Sequence, residues 1–141
     1  MSSRATQLQP AVEQARQRSE DALAQMATQQ QRLAKAEQQL DELQRYRQEY
    51  AATGGDAVSV GALLNRQKFV ERIDQAIMQQ GTEIARLRRQ FEQVRDRWHQ
   101  AHVRESALDS VVERYREQER KAEDRHEQAE VDERMQYRRP R

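Results

Sequence analysis

Two histidines and a glutamate have a spacing that could bind a metal ion. His99 and His102 stand three residues apart and Glu105 follows after three more, so a helix would bring these side chains toward one face. A zinc site needs three or four such ligands, and the sequence offers no second cluster to complete this one. Because both histidines fall outside the apolar seam described below, we interpret them, and the isolated His126, as solvated side chains. We predict no metal ion and no other cofactor.

Other catalytic patterns are weaker still. Three of the four glycines lie between Gly54 and Gly61, but this segment lacks the GxxxxGK[ST] spacing and the preceding strand of a phosphate-binding loop. The carboxylates are interleaved with arginines, and ion pairs between residues four apart on a helix account for that pattern. We therefore predict that the protein is not an enzyme.

The composition favours long helices over a globular domain. Of 141 residues, 35% are hydrophobic, 35% are charged and only two are proline, which leaves too little apolar surface for a thick core and too few helix breakers for a disordered chain. The formal net charge of +1 gives no general attraction to nucleic acid or to an anionic membrane. Cysteine, a signal-peptide core and an apolar run of about 18 residues are all absent. We expect a cytoplasmic protein that neither binds nucleic acid nor inserts directly into a membrane.

A seven-residue apolar repeat runs along two segments of the chain. The first extends from about Leu8 to Tyr50, and the second begins near Ala62, is strong to Tyr115 and then gives way to charged residues. The first segment has Val12, Ser19, Met26, Leu33, Leu40 and Arg47 at position a, and Leu8, Ala15, Ala22, Gln29, Ala36, Leu43 and Tyr50 at position d. The second has Val70, Ile77, Ile84, Phe91, Trp98, Glu105 and Val112 at position a, and Ile73, Gln80, Leu87, Val94, Ala101, Leu108 and Tyr115 at position d.

The break between the two repeats predicts the fold. Gly54 or Gly55 suits the end of the first helix, and Ser59 suits the start of the second. We predict an all-α protein with a single domain over residues 1–141. Its helix at about 5–52, turn at about 53–61 and helix at about 62–135 would form an antiparallel coiled-coil hairpin, with the C-terminal helix overhanging.

Pairing the helices about the middle of the turn predicts their register. Residues whose numbers sum to about 113 then face each other, so that the large Phe91 meets the small Ala22. In this register Leu8 faces Glu105, and the second helix overhangs the first by roughly 30 residues. An apolar stripe would then lack a partner within the hairpin and would contact another protein. The stripe consists of Leu108, Val111, Val112 and Tyr115.

Aromatic residues lie beside the seam near the predicted turn. Tyr46 and Phe69 occupy position g, and Tyr50 occupies position d at the end of the first helix. Two interpretations remain open, because the rings could close the tip of the hairpin or bind a partner. A basic stretch from Arg86 to Arg104 is similarly open between a role in solubility and an acidic protein partner.

The residues on either side of the predicted turn also carry a family resemblance. They are Ala36, Leu40, Leu43, Tyr46 and Tyr50 before a glycine-containing loop, and Asn65, Arg66, Phe69, Ile73, Ala76 and Ile77 after it. Their order and spacing, together with a tryptophan in the second helix and a charged C-terminal tail, resemble the family of the flagellar export protein FliJ.

The resemblance implies an antiparallel coiled coil similar to the central stalk subunit of rotary ATPases. It places the protein in the cytoplasm, peripheral at the inner face of the cell membrane, within the bacterial flagellar type III export apparatus. The implied partners are the hexameric flagellar export ATPase, which the family binds and stimulates, the cytoplasmic domain of the export-gate membrane protein, and export chaperones. The implied gate-binding residues are Gln39, Leu43, Tyr46, Tyr50, Phe69, Ile73, Ala76 and Gln80. By the stalk analogy, Leu108, Val111, Val112 and Tyr115 would contact the ATPase ring.

Two other functions fit the same pattern. One is the equivalent stalk protein of a virulence type III secretion injectisome, which the sequence of the cognate ATPase would distinguish. The other is a generic coiled-coil scaffold or homodimer, which predicts symmetric self-association and would be recognised by its mass in solution.

Overall fold

A computed structural model describes residues 3–52 and 59–138 and shows two long helices. Helix α1 spans Arg4–Ala52 and helix α2 spans Val60–Arg138, and the described residues contain no strand. The two helices pack against each other in opposite directions. This confirms the predicted all-α hairpin. Residues 53–58 of the turn predicted at about 53–61 lie outside the described residues, and Val60 and Gly61, which the prediction placed in the turn, belong to α2.

Serine residues cap the N-terminal ends of both helices. The backbone N–H of Thr6 donates to the hydroxyl of Ser3 at 3.1 Å, and that of Ala62 donates to the hydroxyl of Ser59 at 3.1 Å. Each serine therefore satisfies one of the backbone donors that the first turn of a helix leaves unpaired. The predicted cap at Ser59 is confirmed.

Burial follows the predicted heptad frame on both helices. Every a and d residue from Ala5 to Tyr50 and from Val70 to Glu119 is buried or partly buried, whereas every b, c and f residue in the same spans is exposed. Side chains seven residues apart return to the same face of a supercoiled helix, so the sequence repeat alone identifies the buried face.

The chain divides into two compact units, each built from a stretch of both helices. The unit from Ala22 to Trp98, here called the core unit, contains the main apolar cluster. Ala36, Ile84 and Leu87 are 4–7% exposed, and two partly buried leucines, Leu33 and Leu40, pack against them.

The second unit comprises the residues up to Asp21 together with those from His99 onward, and is here called the terminal unit. Its buried residues on α1 are small, namely Ala5, Ala15 and Ser19, and its one buried residue on the described part of α2 is Val112. Small side chains bury little apolar area, so the seam of this unit contributes less to stability than that of the core unit.

The register of the helices differs from the predicted one by about one heptad. In the core unit, the amide nitrogen of Gln80 donates to the carbonyl oxygen of Ala36 at 2.9 Å, and Arg47 forms an ion pair with Asp74. The residue numbers of these two pairs add up to 116 and 121, and those of Ala36 and Ile84, which share the apolar cluster, add up to 120. The predicted sum of about 113 is therefore wrong.

The predicted pairing of Phe91 with Ala22 fails for a physical reason. It assumed that the two helices pair from the turn onward, but residues 60–65 of α2 are all exposed and do not contribute to the seam. A slide of seven residues keeps every a and d residue in the seam, so periodicity cannot exclude it.

The stripe that was predicted to lack a partner lies against the start of α1. Val112 is 5% exposed, and Leu108, Val111 and Tyr115 are partly buried. The guanidinium of Arg4 stands over the ring of Tyr115, 5.8 Å from its centroid, where the negative ring face attracts a cation. The backbone N–H of Ala5 donates to Oε1 of Glu119 at 3.4 Å. The prediction of an unpartnered stripe is therefore wrong, because the true register carries the start of α1 past these residues.

Helix α2 continues beyond Glu119 without buried residues. Residues 120–137 are all exposed. Side-chain contacts one turn apart support the helix here: Lys121 forms an ion pair with Glu117 at 3.7 Å, and Nε2 of His126 lies 3.2 Å from Oε1 of Glu130. We call residues 120–138 the C-terminal helical segment.

Candidate functional site

Three rings form a contiguous aromatic cluster in the core unit. The rings of Tyr50 and Phe69 stack with centroids 4.4 Å apart, and the ring of Tyr46 lies 5.9 Å from Tyr50 and 6.1 Å from Phe69. These separations are typical of favourable aromatic pairs. Tyr50 and Phe69 are partly buried, whereas Tyr46 is 50% exposed. Two of the rings are therefore packed against each other, and the third is half exposed.

A shallow groove runs beside Tyr46. Its walls are formed by Gln39, Glu42, Leu43 and Tyr46 of α1 and by Gln80 of α2. The amide nitrogen of Gln80 donates to Oε1 of Gln39 at 3.2 Å as well as to the carbonyl of Ala36. This amide bridge joins two of the residues that line the groove, one from each helix. We call it the flank groove.

The structure brings six of the eight predicted gate-binding residues together in the core unit. Gln39, Leu43, Tyr46 and Gln80 line the flank groove, and Tyr50 and Phe69 belong to the adjoining cluster. Ile73 differs, because it is only 6% exposed and supports the surface from within. Ala76 is partly buried.

Charged residues around the seam are paired across or along the helices. Asp74 accepts a hydrogen bond from Arg47, and this contact raises the pKa of Arg47 above its ordinary value. Arg47 occupies an a position, so the pairing satisfies a guanidinium that the heptad frame directs toward the seam. Farther along, Arg86 donates to Glu83 and thereby lowers the pKa of that carboxyl.

The predicted basic stretch is also partly neutralised within the core unit. Arg86 is paired with Glu83, and Arg88 lies 3.4 Å from Glu37 on α1. Phe91 is partly buried at its a position rather than presented to solvent. These contacts favour a structural role for at least two of the arginines.

The metal and membrane alternatives receive no support from the described residues. Within 3–52 and 59–138, no three His, Cys, Asp or Glu side chains are arranged to hold a metal ion. His99 and His102 are exposed. Neither helix, over the same residues, has a stretch long and apolar enough to cross a membrane.

Comparison with protein families decides which group of coiled coils this is. The family model described as "Flagellar FliJ protein" matches residues 3–141, which is nearly the whole chain. The chain belongs to the FliJ family. A FliJ protein is a non-catalytic component of the flagellar type III protein export apparatus, so this confirms the resemblance seen on both sides of the turn. No curated protein and no solved structure matches the chain significantly.

Sequence reasoning missed two features of this side of the FliJ hairpin. One is the amide bridge from Gln80 to Gln39 and Ala36, since a glutamine at position d reads only as a weak point in an apolar seam. The other is Glu42, which lies on the rim of the flank groove although its c position predicts simple exposure. Both depend on the register, which the repeat does not determine.

Proposed function

We propose that this FliJ protein is the stalk-like coiled coil of the flagellar export apparatus and acts in the cytoplasm at the inner face of the cell membrane. It holds the cytoplasmic domain of the export gate with the aromatic cluster and flank groove. It stimulates the hexameric export ATPase through the terminal unit, and it assists export chaperones.

The observation that carries the gate contact is the half-exposed ring of Tyr46. A large ring that is half exposed beside partly buried rings leaves apolar area uncovered, and a partner could bury that area. Tyrosine supplies a large contact area with little loss of side-chain freedom, which is why it is frequent at the centre of interfaces.

The neighbours of Tyr46 supply the rigidity that such a contact needs. Its ring lies against Tyr50 and Phe69, and hydrogen bonds tie Gln80 of the groove to Gln39 and Ala36. A surface that is already ordered loses less entropy when it binds. Ile73 supports this surface as a buried residue and is not itself available to the gate.

The ATPase contact needs a different site from the one that the stripe implied. Leu108, Val111, Val112 and Tyr115 are occupied by the start of α1, so they hold the terminal unit together. The C-terminal helical segment, which is exposed over residues 120–137, is the better candidate. Its basic and acidic side chains, such as Arg125 and Glu127, offer polar contacts to the interior of a protein ring.

The gate contact is tested by titrating the cytoplasmic domain of the export gate with the full chain in a calorimeter. Tyr46→Ala is expected to weaken binding by about 30-fold, in the range of a central interface residue. Met78→Ala is the matched control, because Met78 is 74% exposed in the same unit and lies at position b, away from the groove. Circular dichroism should show unchanged helicity for both variants. Equal affinity of Tyr46→Ala and the wild type would rule out this surface as the gate contact.

A further inference from the structure

The flank groove does not end at the amide bridge. A second depression on the same side of the core unit shares Gln39 and Gln80 with it and extends along α1 past Lys35 and Arg32. The two depressions form one path along the interface, with the Gln39–Gln80 bridge at its middle. One half has the apolar wall of Leu43 and the Tyr46 ring, and the other half is polar.

The two ends of this path carry opposite charges. Glu42 lies on the rim of the apolar half. Arg32 and Lys35 line the polar half. The carboxylate that also lines this half, Glu83, is already paired with Arg86. The path is therefore acidic at the end toward Tyr46 and basic at the end toward Arg32.

Within the described residues, some charges of the core unit are paired and these three are not. Arg47, Arg86 and Arg88 each form an ion pair within the core unit. Among residues 3–52 and 59–138, no ion pair within 4.0 Å involves Glu42, Arg32 or Lys35. A charge that the hairpin itself leaves unpaired on a groove wall is available for a ligand of opposite charge.

We infer that the flank groove and its basic extension bind a single peptide segment in one direction, and that charge at the two ends selects that direction. The occupant carries an apolar side chain for Leu43 and Tyr46, a basic side chain beside Glu42, and an acidic side chain at Arg32 and Lys35. This inference rests on the proposed gate contact and adds the chemistry of the segment that fills it.

The spacing along α1 defines the length of that segment. Glu42 and Arg32 are ten residues apart on the helix, which at a rise of about 1.5 Å per residue separates their backbones by roughly 15 Å. The basic and acidic side chains of the occupant must span the same distance. That corresponds to about five residues of extended chain or about ten residues of helix.

Charge reversal at each end tests the inference, with the cytoplasmic domain of the export gate as the probe and the full chain as the binder. Glu42→Lys and the double variant Arg32→Glu with Lys35→Glu are each expected to weaken binding about tenfold at low salt, and the losses should shrink at high salt. The matched controls are Glu92→Lys and the double variant Arg89→Glu with Arg95→Glu. They change the net charge equally at exposed positions of the same unit, outside the groove, and should stay within about twofold of the wild type.

The outcomes separate this inference from the proposed function. If Tyr46→Ala weakens binding while both reversals bind as the wild type does, the gate contact stands and the charge-directed groove is wrong. If each reversal weakens binding no more than its control does, net charge alone explains the effect, which also overturns the inference. If the wild-type chain does not bind the gate domain, the proposed gate contact fails and the inference fails with it.

Discussion

The core unit and the terminal unit use the same heptad frame in different ways. The core unit buries Ile73, Ile84 and Leu87, and it presents a structured groove and a half-exposed ring on one side. The terminal unit buries mainly small residues and continues as a helix of exposed charges. The same repeat thus supports a grooved surface over a packed core in one unit, and a thin seam followed by an exposed single helix in the other.

The difference indicates which kind of binding surface each unit can support. A surface that binds by shape needs a firm core beneath it, because its side chains must be held before the partner arrives. A surface that binds by charge needs only a helix, which ion pairs one turn apart can support. The proposed gate contact fits the first description, and the proposed ATPase contact fits the second.

The contrast between the units would be wrong if their two seams contributed equally to the free energy of unfolding. Ile84→Ala should lower the free energy of unfolding by about 3 kcal/mol, because Ile84 is 4% exposed and belongs to the main cluster. Val112→Ala in the terminal unit should cost about 1.5 kcal/mol, since valine loses fewer buried carbons. Urea unfolding followed by circular dichroism measures both. Equal losses would contradict the contrast between the units.

A polar residue within the core unit offers a way to sharpen the comparison. Gln29 occupies a d position, and its buried Oε1 has no hydrogen-bond partner among residues 3–52 and 59–138. Gln29→Leu should raise the free energy of unfolding by about 1 kcal/mol, because it removes an unpaired carbonyl and adds apolar contact. Gln80→Leu is the control at another d position. It removes the hydrogen bonds to Ala36 and Gln39, so it should bring no comparable gain in stability when both variants are measured by thermal denaturation.

The heptad frame was predictable because neighbouring turns of one helix determine it. Each a and d assignment, from Val12 to Tyr115, follows from residues a few positions away, and burial agrees with all of them. The register was not predictable in this way. It depends on where α2 begins relative to the end of α1, and a shift of seven residues leaves both apolar faces matched.

The candidate site divides along the same line. Tyr46, Tyr50 and Phe69 could be placed beside the seam near the turn from their heptad positions, and the structure joins them into one cluster. The amide bridge and the groove beyond it required the actual register, because Gln80 reaches Gln39 and Ala36 only when the helices are aligned as they are.

Helix propensity gives a smaller test confined to the core unit. Gly81 lies inside α2, and a methyl group built there would meet nothing within 4 Å. Gly81→Ala should therefore stabilise the protein by about 0.7 kcal/mol through backbone entropy alone. Gly61→Ala, in the first turn of the same helix, should give less. Hydrogen exchange should show slower opening around residue 81 and no change in the terminal unit, and faster opening would contradict the open environment of Gly81.

The pH dependence provides the smallest expected effect. The hydrogen bond from Arg86 lowers the pKa of Glu83 below its ordinary value of 4.5. A carboxyl with a lowered folded-state pKa stabilises the protein above its unfolded-state pKa and loses that contribution as the pH falls through the folded-state value. Unfolding midpoints of the wild type should therefore fall slightly more than those of Glu83→Gln between pH 6 and strongly acidic conditions. Identical pH profiles would show that this exposed pair is energetically silent.

The central claim is that the two units carry separate contacts, and one truncated chain tests it most directly. A chain that ends at Glu119 keeps every buried residue of the described structure and removes the C-terminal helical segment. Stimulation of the export ATPase and binding of the gate domain are measured on this chain and on Tyr46→Ala in parallel. We expect the truncated chain to lose most of its stimulation and to bind the gate as the full chain does, with the reverse result for Tyr46→Ala. Full stimulation of the ATPase by the truncated chain would contradict the account.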